Sequence, residues 1–389
     1  MTTPAAQPAP PPRTLLLGCS FAGLELLYRL ARRRGRFAPG EMTVVDPLDR
    51  HPYIPLVHEA AGGTRAPERL LFDTPAFCRR IGAAWVTGAA SSVDPEARTV
   101  TLADGRTLEY DRLVIAVGSV VDVPPALAGS AAVVPAKFLS DAMLLRRRLH
   151  VLRAGGAQML RVVVVGAGIT GVEWSGALAG GRVDGARIAT TLVAVEERVL
   201  PTFPFGVANR AAHALSRLGV ELLLGRGVRK VLPDRVVLDG GASIHHDVVV
   251  WAGGVRPSAL VSALPFAHTA DGHLAVTSRL AVHGARDVYA IGDCARIVEH
   301  GHEWPTMERA IEAIWQGATL ARRFAAGFPQ DAGPAHRLRR DFLYGISLGP
   351  HLGSVVYGAR HVEGRWSTWL RRAIEWAYYA RFRLVGGSD

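Results

Sequence analysis

A chain of 389 residues has room for two or three domains with buried sites. Hydrophobic residues at 49% and charged residues at 20% suit a soluble globular protein and exclude a disordered one. The net charge of +11 admits an anionic surface as a partner, but outside the tail the basic residues form no run interleaved with aromatics, so no nucleic acid is expected.

Residues 1–12, MTTPAAQPAPPP, read as a disordered tail with neither the basic start nor the apolar core of a signal peptide. From Arg13 to Asp46 the chain runs strand (TLLLG), glycine-rich turn (GCSFAG), helix, then strand (MTVVD). Short strands follow at AWVTG, RTVTLADG and YDRLVIAVG, which fit an antiparallel or crossover element. Residues Arg161 to Glu196 repeat the first plan as RVVVVG, GAGITG, a helix from VEWSGALAGG, and IATTLVAVE. Further short strands are VELLLG, RVVLDG, HDVVVWAGG and DVYAIGDCA. His302 to Phe324 reads as a helix and Pro329 to Pro334 as a linker. Strands are expected near FLYGISLG and SVVYGA, and a helix from about Trp366. The longest uncharged run, Phe342 to Ala359, holds Gly345, Gly349, Pro350, Gly353 and Gly358 and suits strands and a turn, not a membrane span. Two βαβ units predict an α/β fold with parallel sheets under helices.

The second glycine turn is Gly166-Ala-Gly168-Ile169-Thr170-Gly171. Gly166 makes the tight turn, Gly168 lets the backbone approach a pyrophosphate, and Gly171 lets helix and strand pack. The phosphates then lie on the helix N-terminus, where free N–H groups and the dipole favour anions. The first turn, Gly18-Cys-Ser20-Phe21-Ala22-Gly23, has serine at the middle position, which narrows the approach without closing it. Asp46, at the end of the next strand, is placed to accept both ribose hydroxyls of an adenosine, and it also suits a turn before Pro47. Glu196 is the first carboxylate after the second unit's last strand and takes the equivalent place for a second dinucleotide.

Cys19, Cys78 and Cys294 form no CxxC or CxxxxC pair, which argues against a dithiol-disulfide centre and for a reducing compartment. His245 and His246 are adjacent, so on a strand they point opposite ways, and His51 and His58 read as loop or packing residues. No metal site is expected.

The order GCSFAG with Asp46, YDRLVIAVGS, GAGITGVE, WAGGVRP and DVYAIGDCA resembles the two-dinucleotide-binding flavoprotein oxidoreductases over roughly residues 13–330. The stretches HPYIPLVHEAAGG and KFLSDAMLLRRRL most resemble the type II NADH dehydrogenases. The resemblance implies two Rossmann-like domains, with an NAD(P)-binding domain at 128–255 inserted in a discontinuous FAD-binding domain at 13–127 and 256–330. A small α+β unit with an amphipathic helix occupies 331–389. It further implies that Gly18, Ser20, Ala22 and Gly23 cradle the FAD pyrophosphate, with Phe21 in the same turn. Ala90 would meet the adenine by its backbone, and Ala116, Val117 and Gly118 would lie where the two domains' chains cross. Asp293 would bond the ribityl or pyrophosphate, with Gly292 permitting the turn, and Pro55 would lie near the isoalloxazine. Glu173 would reach the nicotinamide end, Gly253 would let that ring stack on the flavin, and Lys137 would stabilise the reduced flavin unless it is a surface lysine. Glu173 and Lys137 are the two residues given catalytic roles. The flavin carries the hydride chemistry, so the protein needs stacking and electrostatics rather than a nucleophile.

Three departures from the resemblance matter. Ala194 stands where the family has an acidic residue; Glu196 and Glu197 follow, favouring NADH, while Arg198 leaves NADPH open. In MERAIEAIWQG only Gln316 of the quinone-side glutamines is present, with Ile311 or Glu308 and Trp315 at the other positions. Cys294 has no partner cysteine nearby, unlike sulfide:quinone reductases. In the tail, Trp366, Trp369, Leu370, Ala373, Ile374 and Ala377 share a helical face while Arg371, Arg372, Glu375 and Arg383 lie elsewhere, which suits either an anionic bilayer or internal packing. The expected function is an FAD-dependent NAD(P)H dehydrogenase in the cytoplasm, peripheral on the cytoplasmic face of the membrane, passing electrons to a quinone; a homodimer is left open. A soluble diaphorase or a reductase of a small redox protein such as ferredoxin is the alternative. A flavin-based redox-sensing binding module is a third reading.

Overall fold

The computed structural model describes residues 12–128, 130–179, 181–304, 306–339, 343–358 and 360–385. Apart from Pro12, the expected tail lies outside the described residues.

Strand β1 (Thr14–Leu17) is buried along its whole length, as expected of a continuous apolar strand covered on both faces. Helix α1 (Phe21–Arg34) begins after Ser20 in extended conformation, and its last turn holds Arg32, Arg33 and Arg34, cations where the dipole favours them. Strands β2 (Met42–Asp46), β3 (Ala84–Thr87) and β4 (Arg112–Ile115) follow. The chain then builds a second sheet from β5 (Val133–Pro135), β6 (Met159–Val165), β7 (Ala186–Val193), β8 (Glu221–Leu223) and β9 (Val248–Trp251), with helix α2 (Ile169–Ala179) after β6. Strand β10 (Val288–Ala290) returns to the first sheet. The first sheet has the spatial order β10-β4-β1-β2-β3, all parallel; the second has the parallel order β5-β9-β6-β7-β8, with a sixth, short strand, Arg182–Val183, antiparallel on β7. Both place the first strand of their βαβ unit centrally, with the order reversing beside it, and ligands bind at such a reversal. The chain leaves and re-enters the first sheet's region through a two-stranded antiparallel ribbon, Ser119–Val121 against Val255–Pro257.

AWVTG and YDRLVIAVG belong to the parallel sheet as β3 and β4, not to an antiparallel element. The reason for β3 is a helix over Thr74–Ile81, capped by the Asp73 carboxylate on the Ala76 N–H at 2.8 Å and closed by left-handed Gly82. That helix supplies the crossover a parallel neighbour requires. Between β3 and β4, Ala90–Asp94, Thr99–Leu102 and Thr107–Glu109 form a separate antiparallel three-stranded sheet. The helix expected from His302 is shorter: α3 spans Ala310–Ala325. His302–Glu303 pair as a strand with Val298–Glu299, Trp304 N–H donates to Ile297 O, and Arg309 is extended. After α3 come β11 (Tyr344–Ser347), β12 (Gly353–Tyr357) and β13 (Arg360–Gly364) as an antiparallel meander, and helix α4 (Trp366–Arg383).

Helix α4 is amphipathic in an unexpected sense. Its buried residues are Ser367, Arg371, Glu375, Tyr378, Tyr379 and Phe382, so two charges lie on the inward face. Phe382 and Tyr379 pack on Phe72, and Tyr378 on Phe21. The outward face carries Trp366, Trp369 and Trp376, the last two more than 70% exposed.

Candidate dinucleotide site

The carboxyl ends of both sheets open onto one cavity of about 1810 Å³. A single drug-sized ligand fills roughly 300–1,000 Å³, so this volume suits two large ligands meeting end to end. The cavity is lined by Gly18, Ser20, Phe21, Ala22, Asp46, Pro55, Ala90, Ala116, Val117, Gly118, Lys137, Gly166, Gly168, Ile169, Thr170, Glu173, Glu196, Gly253, Gly292 and Asp293. Gly23 and Gly171 stand one layer behind, where a Cβ on either would strike the carbonyl oxygen of Gly18 or Gly166. A Cβ on Gly18 or Gly166, both at positive φ, would meet the Ala116 or Ala252 carbonyl. Around Gly168 nothing lies within 4 Å of such an atom, which leaves room for a phosphate at the N-terminus of α2. Ser20 makes no capping bond and lines the cavity.

Asp46 is tied into the first turn. Its Oδ2 accepts from the Cys19 N–H at 2.7 Å and its Oδ1 from the Leu48 N–H at 2.8 Å. Burial raises its pKa, and the two N–H bonds oppose that rise. Each oxygen keeps lone-pair capacity for a ribose hydroxyl. Glu196 is half-buried, not buried, at the cavity wall, and its carbonyl accepts from Gly225 N–H. Arg198 is turned onto the Pro201 carbonyl at 2.7 Å.

Lys137 is no surface lysine. It is one of two lysines in the chain, against many arginines, and its side chain is 12% exposed. Its Nζ bonds the Ser119 hydroxyl and lies 3.1 Å from Asp293 Oδ2, which also accepts from Ser119 at 2.8 Å. The turn at Gly292, φ +77°, donates its N–H to Gln316 Oε1 at 2.7 Å. Gln316 in turn donates to Glu312, which accepts from buried His336 at 2.7 Å. The surviving glutamine therefore holds the Asp293 turn from behind.

Glu173 is buried and engaged. Its Oε1 accepts from Arg371 at 2.8 Å and from Ser347 N–H at 3.0 Å, and Oε2 lies 3.6 Å from His58. Burial raises its pKa, opposed by the Arg371 charge and the Ser347 bond. Arg371 also donates to the Pro55 carbonyl at 3.0 Å. Sequence reasoning missed Arg371. The spacing Arg371, Glu375, Tyr378, Tyr379, Phe382 is a helical face that could have flagged it. Also missed was Arg309, which lies 4.7 Å from the Tyr344 ring and 5.8 Å from that of Phe203 at the cavity wall.

His51 and His58 are buried and also line the cavity; burial pushes His51 down to about 3 and His58 well below its ordinary value. His246 bonds the Leu232 carbonyl. Cys294 is buried beside the Ile115 and Ile291 carbonyls, and burial lifts its thiol to about 12, so it is held protonated. Cys19 and Cys78, remote in sequence, are in side-chain contact, and both thiols are free and buried.

Two Rossmann-like sheets sharing one cavity define a two-dinucleotide oxidoreductase. The family model for pyridine nucleotide-disulphide oxidoreductases matches residues 12–317, and the chain belongs to that family. It is an FAD-dependent NAD(P)H oxidoreductase. A type II NADH:quinone oxidoreductase of Staphylococcus saprophyticus is 26% identical over 398 aligned residues, covering 96% of each chain. An NADH dehydrogenase-like protein of Mycobacterium tuberculosis is 33% identical over 298 residues, 73% of this chain and 72% of that one. The solved structure of NDH2 from Plasmodium falciparum in complex with NADH has a TM-score of 0.83 at 17% identity, covering 96% of this chain and 97% of that one, and shows the same fold.

Proposed function

We propose that the protein takes hydride from NADH onto FAD and passes the electrons to a quinone at an anionic membrane surface. The observation that carries this reading is the single cavity with a glycine turn and a following ribose-side carboxylate from each sheet: Gly18 with Asp46, and Gly166 with Glu196. FAD occupies the first half and NADH the second, with Pro55, Lys137, Gly253 and Asp293 around the flavin. The relatives named for quinone reduction, one of them matched along nearly its full length, support the acceptor. The domain division at 13–127 with 256–330, and 128–255, is proposed on the same basis. The test is stopped-flow reduction of the yellow holoenzyme by NADH, then reoxidation by a panel of quinones and one-electron acceptors. Flavin that NADH cannot bleach, or that no quinone reoxidises, sinks the reading.

Glu196→Ala is expected to weaken NADH and narrow or reverse its preference over NADPH. A lost hydrogen bond to a charged group costs about 1.5–3 kcal/mol, roughly ten- to a hundredfold in affinity, and partial exposure of Glu196 places the effect at the lower end. The ratio of kcat/KM for the two nucleotides reads it out. An unchanged ratio would assign the ribose pocket to Ala194 and its neighbours.

For the membrane, the support is the outward tryptophan face of α4, with Leu384 at 85% exposure and the net positive charge. No helix among the described residues is long and apolar enough to cross a membrane. Contact is therefore peripheral, and we place it on the cytoplasmic face. Replacing Trp366, Trp369 and Trp376 together with serine should reduce sedimentation with phosphatidylglycerol vesicles at least tenfold, since a large apolar side chain removed from water contributes about 1.5–3 kcal/mol. Because these side chains are exposed, melting should not shift; vesicle binding equal to the parent protein would assign the face to another partner.

A further inference from the structure

Reduction of a quinone by NADH needs more than a hydride. NADH gives up two electrons and one proton as hydride, and the second proton of the quinol must come from solvent. We propose that Asp271, His273 and Glu308 form the relay that brings this proton from the surface to the cavity, an inference that rests on the electron transfer proposed above.

His273 precedes the strand Leu274–Val276 and its side chain is 3% exposed. Its Nε2 is bonded to Glu308 Oε1 at 2.8 Å, and its Nδ1 lies 2.8 Å from Asp271 Oδ1. Asp271 is 50% exposed to solvent, whereas Glu308 lines the cavity just before α3. That place is close to the flavin half, because Ala313 on the first turn of α3 approaches Gly292. The buried imidazole thus spans the wall, with a solvent carboxylate outside and a cavity carboxylate inside.

Arg296 completes the group. It reaches Asp271 at 3.2 Å, Glu308 at 3.3 Å and the Thr306 carbonyl at 3.1 Å. Asp271, Glu308 and Arg296 are the charged groups that face the ring. With the ring protonated, two cations balance two carboxylates. Burial disfavours the charged ring, but its bond to Glu308 and the nearby Asp271 carboxylate outweigh that and raise its pKa. The bond to Glu308 is aligned, whereas the Asp271 contact is short but off-line, as the lack of an acceptor in line with Nδ1 shows. Nδ1 is itself buried, so its proton is exchanged with solvent through the half-exposed Asp271 carboxylate 2.8 Å away, while the inner bond delivers to Glu308.

Four other ionisable groups on the cavity wall have different surroundings. Glu173 is held by Arg371 and Ser347, Lys137 by Asp293 and Ser119, and His51 and His58 are buried with lowered pKa. None is joined to the surface through an imidazole that has an exposed carboxylate on its other side.

The experiment compares acceptors that differ in proton demand. Ferricyanide takes single electrons and no proton, whereas dichlorophenolindophenol and a short-chain benzoquinone take protons with their electrons. In His273→Gln holoenzyme, NADH should bleach the flavin and ferricyanide should turn over within twofold of the parent protein. Turnover with the two proton-requiring acceptors should fall at least tenfold at pH 8, recover as pH falls, and be rescued by added imidazole. Glu308→Gln should do the same without altering the buried ring's size. NMR titration of the parent holoenzyme should find the His273 ring protonated above the ordinary imidazole range, and Glu308→Gln should lower that value. Equal losses with ferricyanide, no rescue, or a ring that titrates at the ordinary value would each overturn the relay. A parent protein that reduces the indophenol but no quinone would sink the quinone assignment and leave the relay test standing.

Discussion

Arg371→Leu is expected to be the most damaging single substitution in the C-terminal helix, and its cost should depend on pH. The guanidinium is the partner of Glu173, and both side chains are less than a tenth exposed. Removing one partner of a buried pair costs about 3–5 kcal/mol, because the remaining charge is left without compensation. Glu173 already has a raised pKa from burial, and loss of Arg371 removes the charge that opposes it. A carboxyl whose folded pKa lies above its unfolded value binds more protons in the folded state across that interval. Stability therefore falls as pH rises from the unfolded value through the folded one. The variant should lie closest to the parent protein at mildly acidic pH and lose ground as pH increases. Chemical denaturation of both proteins between pH 5 and 8 measures this, and Glu173→Gln in the Arg371→Leu background should restore much of the loss. A deficit that is flat with pH, and that Glu173→Gln does not repair, would show that Arg371 acts through its contact with Pro55 instead.

Asp46→Ala should release FAD while leaving the second half of the cavity intact. The substitution strips the acceptor from two backbone N–H groups, those of Cys19 and Leu48, and removes the proposed ribose contacts. Hydrogen bonds to a charged group contribute about 1.5–3 kcal/mol each, so two to the ribose correspond to roughly a hundred- to ten-thousandfold in affinity. Partial exposure places the expected loss near the lower figure. The purified variant should be pale, and fluorescence titration should show weakened FAD binding with NADH binding retained. A variant that stays fully yellow would mean that Asp46 serves only to pin the Gly18 turn.

The architecture was largely legible because both βαβ units carry their signals locally. The TLLL and RVVVV strands, the glycine spacing and Asp46 are contiguous features whose physics does not depend on the rest of the chain. The helix over Thr74–Ile81 was legible too, in Asp73, Pro75 and Gly82, but it was overlooked, and with it the parallel placement of β3. Glu308 shows the opposite case. Its sequence neighbourhood suggested helix, yet His302–Glu303 fold back on Val298–Glu299, Trp304 pairs with Ile297 and Arg309 is extended, so a tight hairpin prevailed over helix propensity. The engagement of Glu173 by Arg371 could not be read from either motif, since the partners are 198 positions apart. Nor could the inward charges of α4, because tryptophan and arginine on one helix do not declare which face meets the protein.

The return of β10 to the first sheet has a consequence for synthesis. Strand β4 is finished at Ile115, but its neighbour Val288–Ala290 emerges only after the whole second sheet. At about 5–20 residues per second, that edge of the nascent sheet waits roughly ten to thirty-five seconds with its peptide groups unpaired. An unpaired buried-type strand is a template for wrong partners. The intervening region can shorten the hazard only by folding first as a self-contained unit. The antiparallel ribbon of Ser119–Val121 and Val255–Pro257 then brings its two ends side by side, so that the late strand arrives at the waiting edge without a long search.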